Sequence, residues 1–141
     1  MVRLLAPLAV MALMACNGTR PLGPTVEVPL GESFSLQIGQ TARVTESDLR
    51  IRFEQVAEDS RCPTDVQCVW AGNARVALVV ALGADRRELE VNTGVDPRAV
   101  EVDGYSLRLE DLRPHPSTRR GIPRGGYTAT LVVSQALPDA R

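Results

Sequence analysis

Residues 74–82, ARVALVVAL, decide the fold class of this chain. The even-numbered positions are all apolar, and from residue 77 onward the odd-numbered positions are apolar as well. Alternation with a period of two is typical of a β-strand, and apolar residues on both faces indicate a strand that is covered on both sides. The stretch therefore predicts a central strand of a layered β-structure.

Further alternating segments lie on both sides of this strand. They fall at residues 26–28, 34–38, 49–57, 89–91, 100–102, 105–109 and 127–133. Turn signals separate them, and Asp103-Gly104 is the strongest β-hairpin signal in the chain. We therefore expect an all-β fold over residues 25–137, an immunoglobulin-like antiparallel β-sandwich of about seven to eight strands, with a small β-barrel as the alternative.

The N-terminus predicts export and attachment to a membrane. One basic residue precedes an apolar run from Leu4 to Ala15, which is too short to span a bilayer but fits a signal peptide. The run ends in LMAC, residues 13–16, which resembles the bacterial lipobox, although Met14 departs from the usual small or β-branched residue. Residues 1–15 are therefore expected to be a lipoprotein signal peptide, and Cys16 to carry the lipid. The alternative is an ordinary signal peptide in which Cys16 is incidental.

The residues after Cys16 predict a tether and a location. Residues 16–24 contain two Pro and two Gly without apolar periodicity, and are expected to form a lipidated N-terminus and a short tether. Asn17 favours the outer membrane over retention in the inner membrane. The expected location is thus the bacterial cell envelope, with the domain held by the lipid at Cys16 on the outer membrane and facing the periplasm. The formal net charge of −1 implies no nucleic-acid partner.

The three cysteines can be assigned from the compartment. Once Cys16 is lipidated, Cys62 and Cys68 remain as a pair in an oxidising environment. A zinc site needs four ligands, and a redox motif needs two residues between its cysteines, whereas five separate this pair. We therefore expect a disulfide between Cys62 and Cys68.

Residues 59–72, DSRCPTDVQCVWAG, surround that pair and contain the chain's only tryptophan. Trp70 is expected to lie over the disulfide or to cap the core; an exposed ligand-binding tryptophan is the alternative. This stretch resembles a signature of small, uncharacterised bacterial lipoproteins, with the pattern D-S-R-C-P-x4-C-x-W-x-G. The resemblance extends over residues 31–133, supports the fold and the location, and implies no activity.

The inventory of reactive side chains argues against catalysis, and no cofactor or metal is expected. His115, the only histidine, lies between two prolines with no carboxylate expected near it, and no thiol is left free. A pair of carboxylates on separate strands remains an alternative. Calcium held by Glu58, Asp59 and Asp65 is another, although their spacing does not follow the D-x-D-x-D-G pattern of a calcium-binding loop.

One positively charged segment is the remaining candidate site. Residues 113–126, RPHPSTRRGIPRGG, hold Arg113, Arg119, Arg120 and Arg124 and no acid. This flexible connection, which we call the arginine loop, would attract an anionic partner such as a lipid phosphate, an acidic glycan or an acidic protein. Its alternative is a solvated connection. The predicted function is a non-catalytic binding or adaptor module of the envelope; the alternative is a structural or accessory lipoprotein without a ligand.

Overall fold

The computed structural model describes residues 23–138, and nine β-strands and no helix lie within that range. In chain order the strands are β1 Thr25–Val28, β2 Ser33–Gln37, β3 Thr41–Val44, β4 Leu49–Asp59, β5 Ala74–Leu82, β6 Asp85–Asn92, β7 Ala99–Val102, β8 Tyr105–Arg113 and β9 Thr128–Gln135. The described part accordingly holds no helix capable of crossing a membrane. The predicted signal peptide and Cys16 lie outside the described residues.

The strands form two stacked sheets. The five-stranded sheet has the order β1-β3-β4-β5-β6, and the four-stranded sheet has the order β2-β9-β8-β7. All neighbours are antiparallel except β1 and β3, which are parallel. The predicted all-β sandwich is confirmed, and the described strands do not close into the alternative barrel.

The core lies between the two sheets. Its largest fully buried side chains include Phe53, Ile51, Leu78, Leu109 and Leu131. They come from alternating positions of β4, β5, β8 and β9, and burying each contributes about 1.5–3 kcal/mol. The alternation that defines the strands in the sequence therefore also defines the core.

The strand β5 has two different faces. Val76, Leu78 and Val80 point into the core, as the sequence predicts. The expectation that its other face is also covered by chain is wrong, because Val79 and Ala81 form the floor of a groove on the outside of the sheet. Val79 is only 7% exposed there, which places it beneath its longer neighbours on adjacent strands.

The sequence missed the strand β3. It has four residues, TARV, of which only Ala42 and Val44 are apolar and buried. Four residues are too few for their alternation to predict a strand. The strand forms because it pairs with β1 on one side and β4 on the other. The described residues therefore hold nine strands, one more than the eight alternating segments found in the sequence.

Candidate binding surface

The connection between β4 and β5 is a stapled loop, residues 60–73, at one end of the sandwich. Ladder pairing continues past Asp59 into its base, where the Ser60 N–H donates to the Asn73 carbonyl over 2.7 Å and the Cys62 N–H donates to the Ala71 carbonyl over 2.9 Å. The predicted disulfide between Cys62 and Cys68 is confirmed, with a Cα–Cα distance of 5.9 Å that is ordinary for such a bond. The loop is thus fixed at its base and across its middle.

Gly72 lets the two sides of this base approach closely. Its φ of +71° lies in the left-handed region, and a Cβ atom there would come within 1.8 Å of the Ser60 carbonyl oxygen. A larger residue at position 72 would force the two segments apart.

A largely buried ion pair joins the stapled loop to the four-stranded sheet. Arg61 donates to both carboxylate oxygens of Asp59, over 2.8 Å from Nε and 2.7 Å from Nη2. The two side chains are only 10% and 11% exposed. Arg61 also donates to the carbonyls of Leu112 over 2.6 Å and Pro114 over 3.0 Å, and Tyr127 donates its hydroxyl to Asp59 over 3.1 Å. The ion pair therefore links three segments of the chain, through Arg61 to Leu112 and Pro114 and through Asp59 to Tyr127.

The ion pair changes the ionisation of its members. Burial alone would raise the pKa of Asp59, but the hydrogen bonds and charge of Arg61, with the Tyr127 hydroxyl, lower it below its ordinary value. The pKa of Tyr127 is raised, first by burial and then by the negative charge of Asp59. Asp59 is thus held ionised and Tyr127 neutral near pH 7.

The arginine loop is fastened to the stapled loop. The Thr64 N–H donates to the Pro116 carbonyl over 2.9 Å, and Asp65 accepts from the N–H and the hydroxyl of Thr118 over 3.0 and 2.5 Å. These bonds from Thr118 lower the pKa of Asp65. The expectation of a flexible connection omitted these contacts, because Asp65 is distant from the loop in the sequence. The two loops form one continuous end of the molecule.

Trp70 is on the outside of this end, so the expectation that it caps the core or covers the disulfide is wrong. Its side chain is 82% exposed, and the neighbouring Val69 is 93% exposed. The last ladder pair of the loop joins Cys62 to Ala71, so Val69 and Trp70 lie beyond that pair, and the core begins only at Ala74. The alternative of an exposed tryptophan is the one that the structure shows.

The four arginines of the arginine loop have different surroundings. Arg113 is paired with Asp111, with 2.9 Å between Nε and the carboxylate. Within residues 23–138, Arg119, Arg120 and Arg124 have no acid within ion-pair distance. Three positive charges therefore lie on the arginine loop, which is bonded to the stapled loop that carries the exposed tryptophan.

The candidate catalytic and metal residues do not converge in the described segment. The expectation that His115 has no carboxylate near it is wrong, since its Nε2 lies 3.8 Å from Asp111, four residues earlier. Among residues 23–138 no three His, Cys, Asp or Glu side chains are arranged to hold a metal ion. Glu58 pairs with Arg75 over 3.4 Å, so the three acids considered for calcium face different partners.

Arg61 is the structural residue of this end that the sequence did not single out. Its ion pair with Asp59 is local, but nothing in the sequence shows that Arg61 also donates to carbonyls about fifty residues away. Comparison of the chain with protein-family models, with curated proteins and with solved structures found no match.

Proposed function

We propose that this protein is a lipid-anchored lipoprotein of the bacterial envelope that acts as a non-catalytic binding module. The observation that carries the proposal is Trp70, 82% exposed at the tip of a loop held by a disulfide and a buried ion pair. Exposing a large aromatic side chain has a free-energy cost in water, and a contact with a partner removes it. We call Val69, Trp70, Arg119, Arg120 and Arg124 the binding tip.

The construction of the stapled loop favours binding. Holding a loop rigid before association lowers the entropy that binding must overcome. Tryptophan and arginine are the residues that most often dominate the energy of protein–protein interfaces. The tip combines both, with Trp70 on a fixed loop and Arg119 and Arg120 on the loop bonded to it through Asp65. This combination suits a protein partner whose surface has an apolar pocket surrounded by acids.

The predicted lipid on Cys16 would hold such a module at a membrane. The sequence from Leu13 to Cys16 resembles the cleavage and lipidation signal of bacterial lipoproteins at every position except Met14, and the resemblance around Cys62 and Cys68 is to the same class of protein. Two or three acyl chains on Cys16 hold a protein stably on a bilayer. The partner is accordingly sought within the envelope, on the same membrane surface.

Purification of the lipoprotein from detergent-solubilised envelope tests the proposal. We expect one dominant protein to co-purify at low salt and to be lost as salt rises, because exposed charges are screened beyond about 8 Å at physiological ionic strength. The Trp70→Ala variant and the triple variant Arg119→Ser, Arg120→Ser, Arg124→Ser should each lose the partner.

The matched control is Leu137→Ser. Leu137 is 89% exposed and lies beyond β9 at the opposite end of the sandwich, so its loss should leave the partner bound. Recovery of the same proteins with the parent, Trp70→Ala and triple variants would contradict the proposal. A protein without any partner would favour the structural or accessory role instead.

A further inference from the structure

A groove lined by four arginines crosses the outer face of the five-stranded sheet, away from the binding tip. It has a volume of about 560 Å³, and Val79 and Ala81 of β5 form its floor. Its walls carry the arginines Arg43, Arg50, Arg52 and Arg86. Glu27 also lines the groove, which thus has a small apolar surface between walls that carry four arginines and one acid.

Strand register brings these arginines together from three strands, β3, β4 and β6. Arg43 of β3 pairs with Arg50 of β4, Arg50 pairs with Ala81 of β5, and Ala81 pairs with Arg86 of β6. Side chains in one such row lie side by side on the same face of a sheet. Arg50 and Arg86 therefore stand on either side of Ala81, whose methyl group leaves the space between them open.

The charge of the groove is not balanced by its own acids. Arg43 lies 3.5 Å from Glu27, and Arg52 lies 2.9 Å from Glu54. Within the described part of the chain, Arg50 and Arg86 have no carboxylate within ion-pair distance. Like charges facing each other across one small residue repel, and an anion between them relieves that repulsion.

The groove lies where the chain arrives from its expected lipid. Thr25, the first residue of β1, lines the groove, and it follows Cys16 by nine residues. Even fully extended, nine residues span only about 30 Å. A lipid on Cys16 therefore keeps the groove within about 30 Å of its attachment point at the membrane surface.

We propose that the arginine groove binds the phosphate of an anionic lipid headgroup in the leaflet that holds the lipid anchor. Arg50 and Arg86 hold the phosphate oxygens, because a planar guanidinium can donate two parallel hydrogen bonds to one phosphate. Thr25 and Thr41, which also line the groove, offer hydroxyl donors for the polar part of the headgroup. The apolar floor accommodates the carbon atoms between these groups.

Such binding would orient the domain on the membrane. The groove lies on a sheet face near Arg50 and Arg52, and the stapled loop begins after Asp59, at the end of the same strand. Seven residues of strand, from Arg52 to Asp59, separate the two by about 23 Å. When the groove binds a headgroup of the leaflet, the binding tip lies to one side of the groove. An envelope partner can reach it there. The inference rests on the lipid anchor of the proposed function.

The test uses the full-length protein purified from bacterial membranes, and reads the Nε–Hε signals of Arg50 and Arg86 by nuclear magnetic resonance. In nanodiscs of equal parts phosphatidylcholine and phosphatidylglycerol, both signals should shift relative to nanodiscs of phosphatidylcholine alone. In a second arm, inorganic phosphate is titrated into the protein in uncharged detergent micelles. Saturating shifts of the same signals are expected there, together with a shift of the backbone amide of Ala81, which lies between the two arginines. The Ala81 amide is present in every variant, and it should report an affinity about tenfold weaker after Arg50→Gln with Arg86→Gln, which removes charge-assisted hydrogen bonds.

The control is Arg98→Gln with Arg108→Gln, which lowers the net charge equally but on residues outside the groove. It should keep the phosphate affinity of the parent. Equal weakening by both double variants would overturn the inference, since it would show only a general attraction. Shifts with inorganic phosphate but none with phosphatidylglycerol would overturn the headgroup as the source.

The mass of the mature protein, measured before reconstitution, separates this inference from the proposed function. A protein without acyl chains on Cys16 counts against the anchor, and so against both. An acylated protein whose groove arginines do not respond to phosphatidylglycerol counts against this inference alone.

Discussion

Trp70 is a large aromatic side chain that is exposed to water instead of being buried in the core. Full burial of a tryptophan removes a large apolar area from water, yet here the side chain is 82% exposed beside a valine that is 93% exposed. The core is complete without it, because Phe53, Leu109 and Leu131 already fill the space between the sheets. Its exposure therefore adds nothing to folding and needs another explanation.

Trp70 should report its exposure directly in fluorescence. As the only tryptophan, it should emit at the long wavelength of a water-exposed indole in the native protein, and unfolding in urea should shift that emission little. Trp70→Ala should change the free energy of unfolding by no more than about 0.5 kcal/mol, as expected for a surface substitution. A native emission at short wavelength, or a loss of several kcal/mol, would show a buried side chain instead.

Arg61 is expected to matter more for stability than any other arginine of the end loops. Arg61→Ala leaves the largely buried carboxylate of Asp59 without its partner and frees two carbonyls, so the free energy of unfolding should fall by about 3 kcal/mol. Arg61→Lys keeps the charge but loses the fork geometry, and should recover only part of this loss. Urea denaturation measures both.

The control for Arg61 is Arg108→Ala. Arg108 is exposed and has no acid within ion-pair distance in the described segment, so its loss should cost less than about 0.5 kcal/mol. Equal effects of Arg61→Ala and Arg108→Ala would contradict the role of Arg61 as the link between the segments.

The lowered pKa of Asp59 predicts how the stability of the protein depends on pH. Its pKa in the folded protein lies below its ordinary value, so its contribution is fully present above the unfolded pKa of about 3.9 and is lost as the pH falls through the lower folded pKa. Asp65 acts in the same direction. Melting temperatures measured downward from neutral pH should fall steeply below about pH 4 in the parent, and less steeply in Asp59→Asn. An unchanged slope in that variant would refute the assignment.

At the scale of elements, the stapled loop is held by several constraints that act together. The ladder bonds at its base, the disulfide across it and the clamp of Arg61 each fix a different part. Replacing Cys62 and Cys68 by Ala should lower the free energy of unfolding by about 2 kcal/mol, because the disulfide closes a short ring. It should also weaken partner binding, while circular dichroism retains the β-sheet signal.

Strands in which apolar and polar residues alternate over many positions could be predicted from the sequence. A strand that forms only because it pairs with its neighbours could not. β5 and β4 each repeat the alternation over many residues, so the local sequence was enough to predict them. The four residues of β3 became a strand only through β1 and β4, and no local pattern contains that information. Asp103-Gly104 succeeded for a physical reason, since both residues have the positive φ, 49° and 85°, that a tight hairpin requires.

At the scale of the whole molecule, the sites are products of contacts between distant segments. The sequence indicated the disulfide and the positive arginine loop, since both are local. It could not show that Asp65 holds Thr118, nor that Arg50 and Arg86 face each other across Ala81, because those contacts depend on strand order. For the same reason the exposure of Trp70 became visible only with the loop in place.

Lipidation of Cys16 is the whole-molecule prediction on which location depends. Mass spectrometry of the mature N-terminus should find an acylated Cys16, and Cys16→Ser should release the protein from the membrane fraction. Cleavage at another residue, with the protein recovered in the soluble fraction, would contradict it.

The central claim, that the binding tip contacts a partner in the envelope, is tested most directly by a photo-crosslinking amino acid placed at position 70 in living cells. We predict one discrete protein adduct at that position, lost when Arg119, Arg120 and Arg124 are replaced by Ser. The same amino acid at Leu137, equally exposed at the other end of the sandwich, should give none. If position 70 yields no adduct above the level found at position 137, the exposed tryptophan is not a binding residue and the account is wrong.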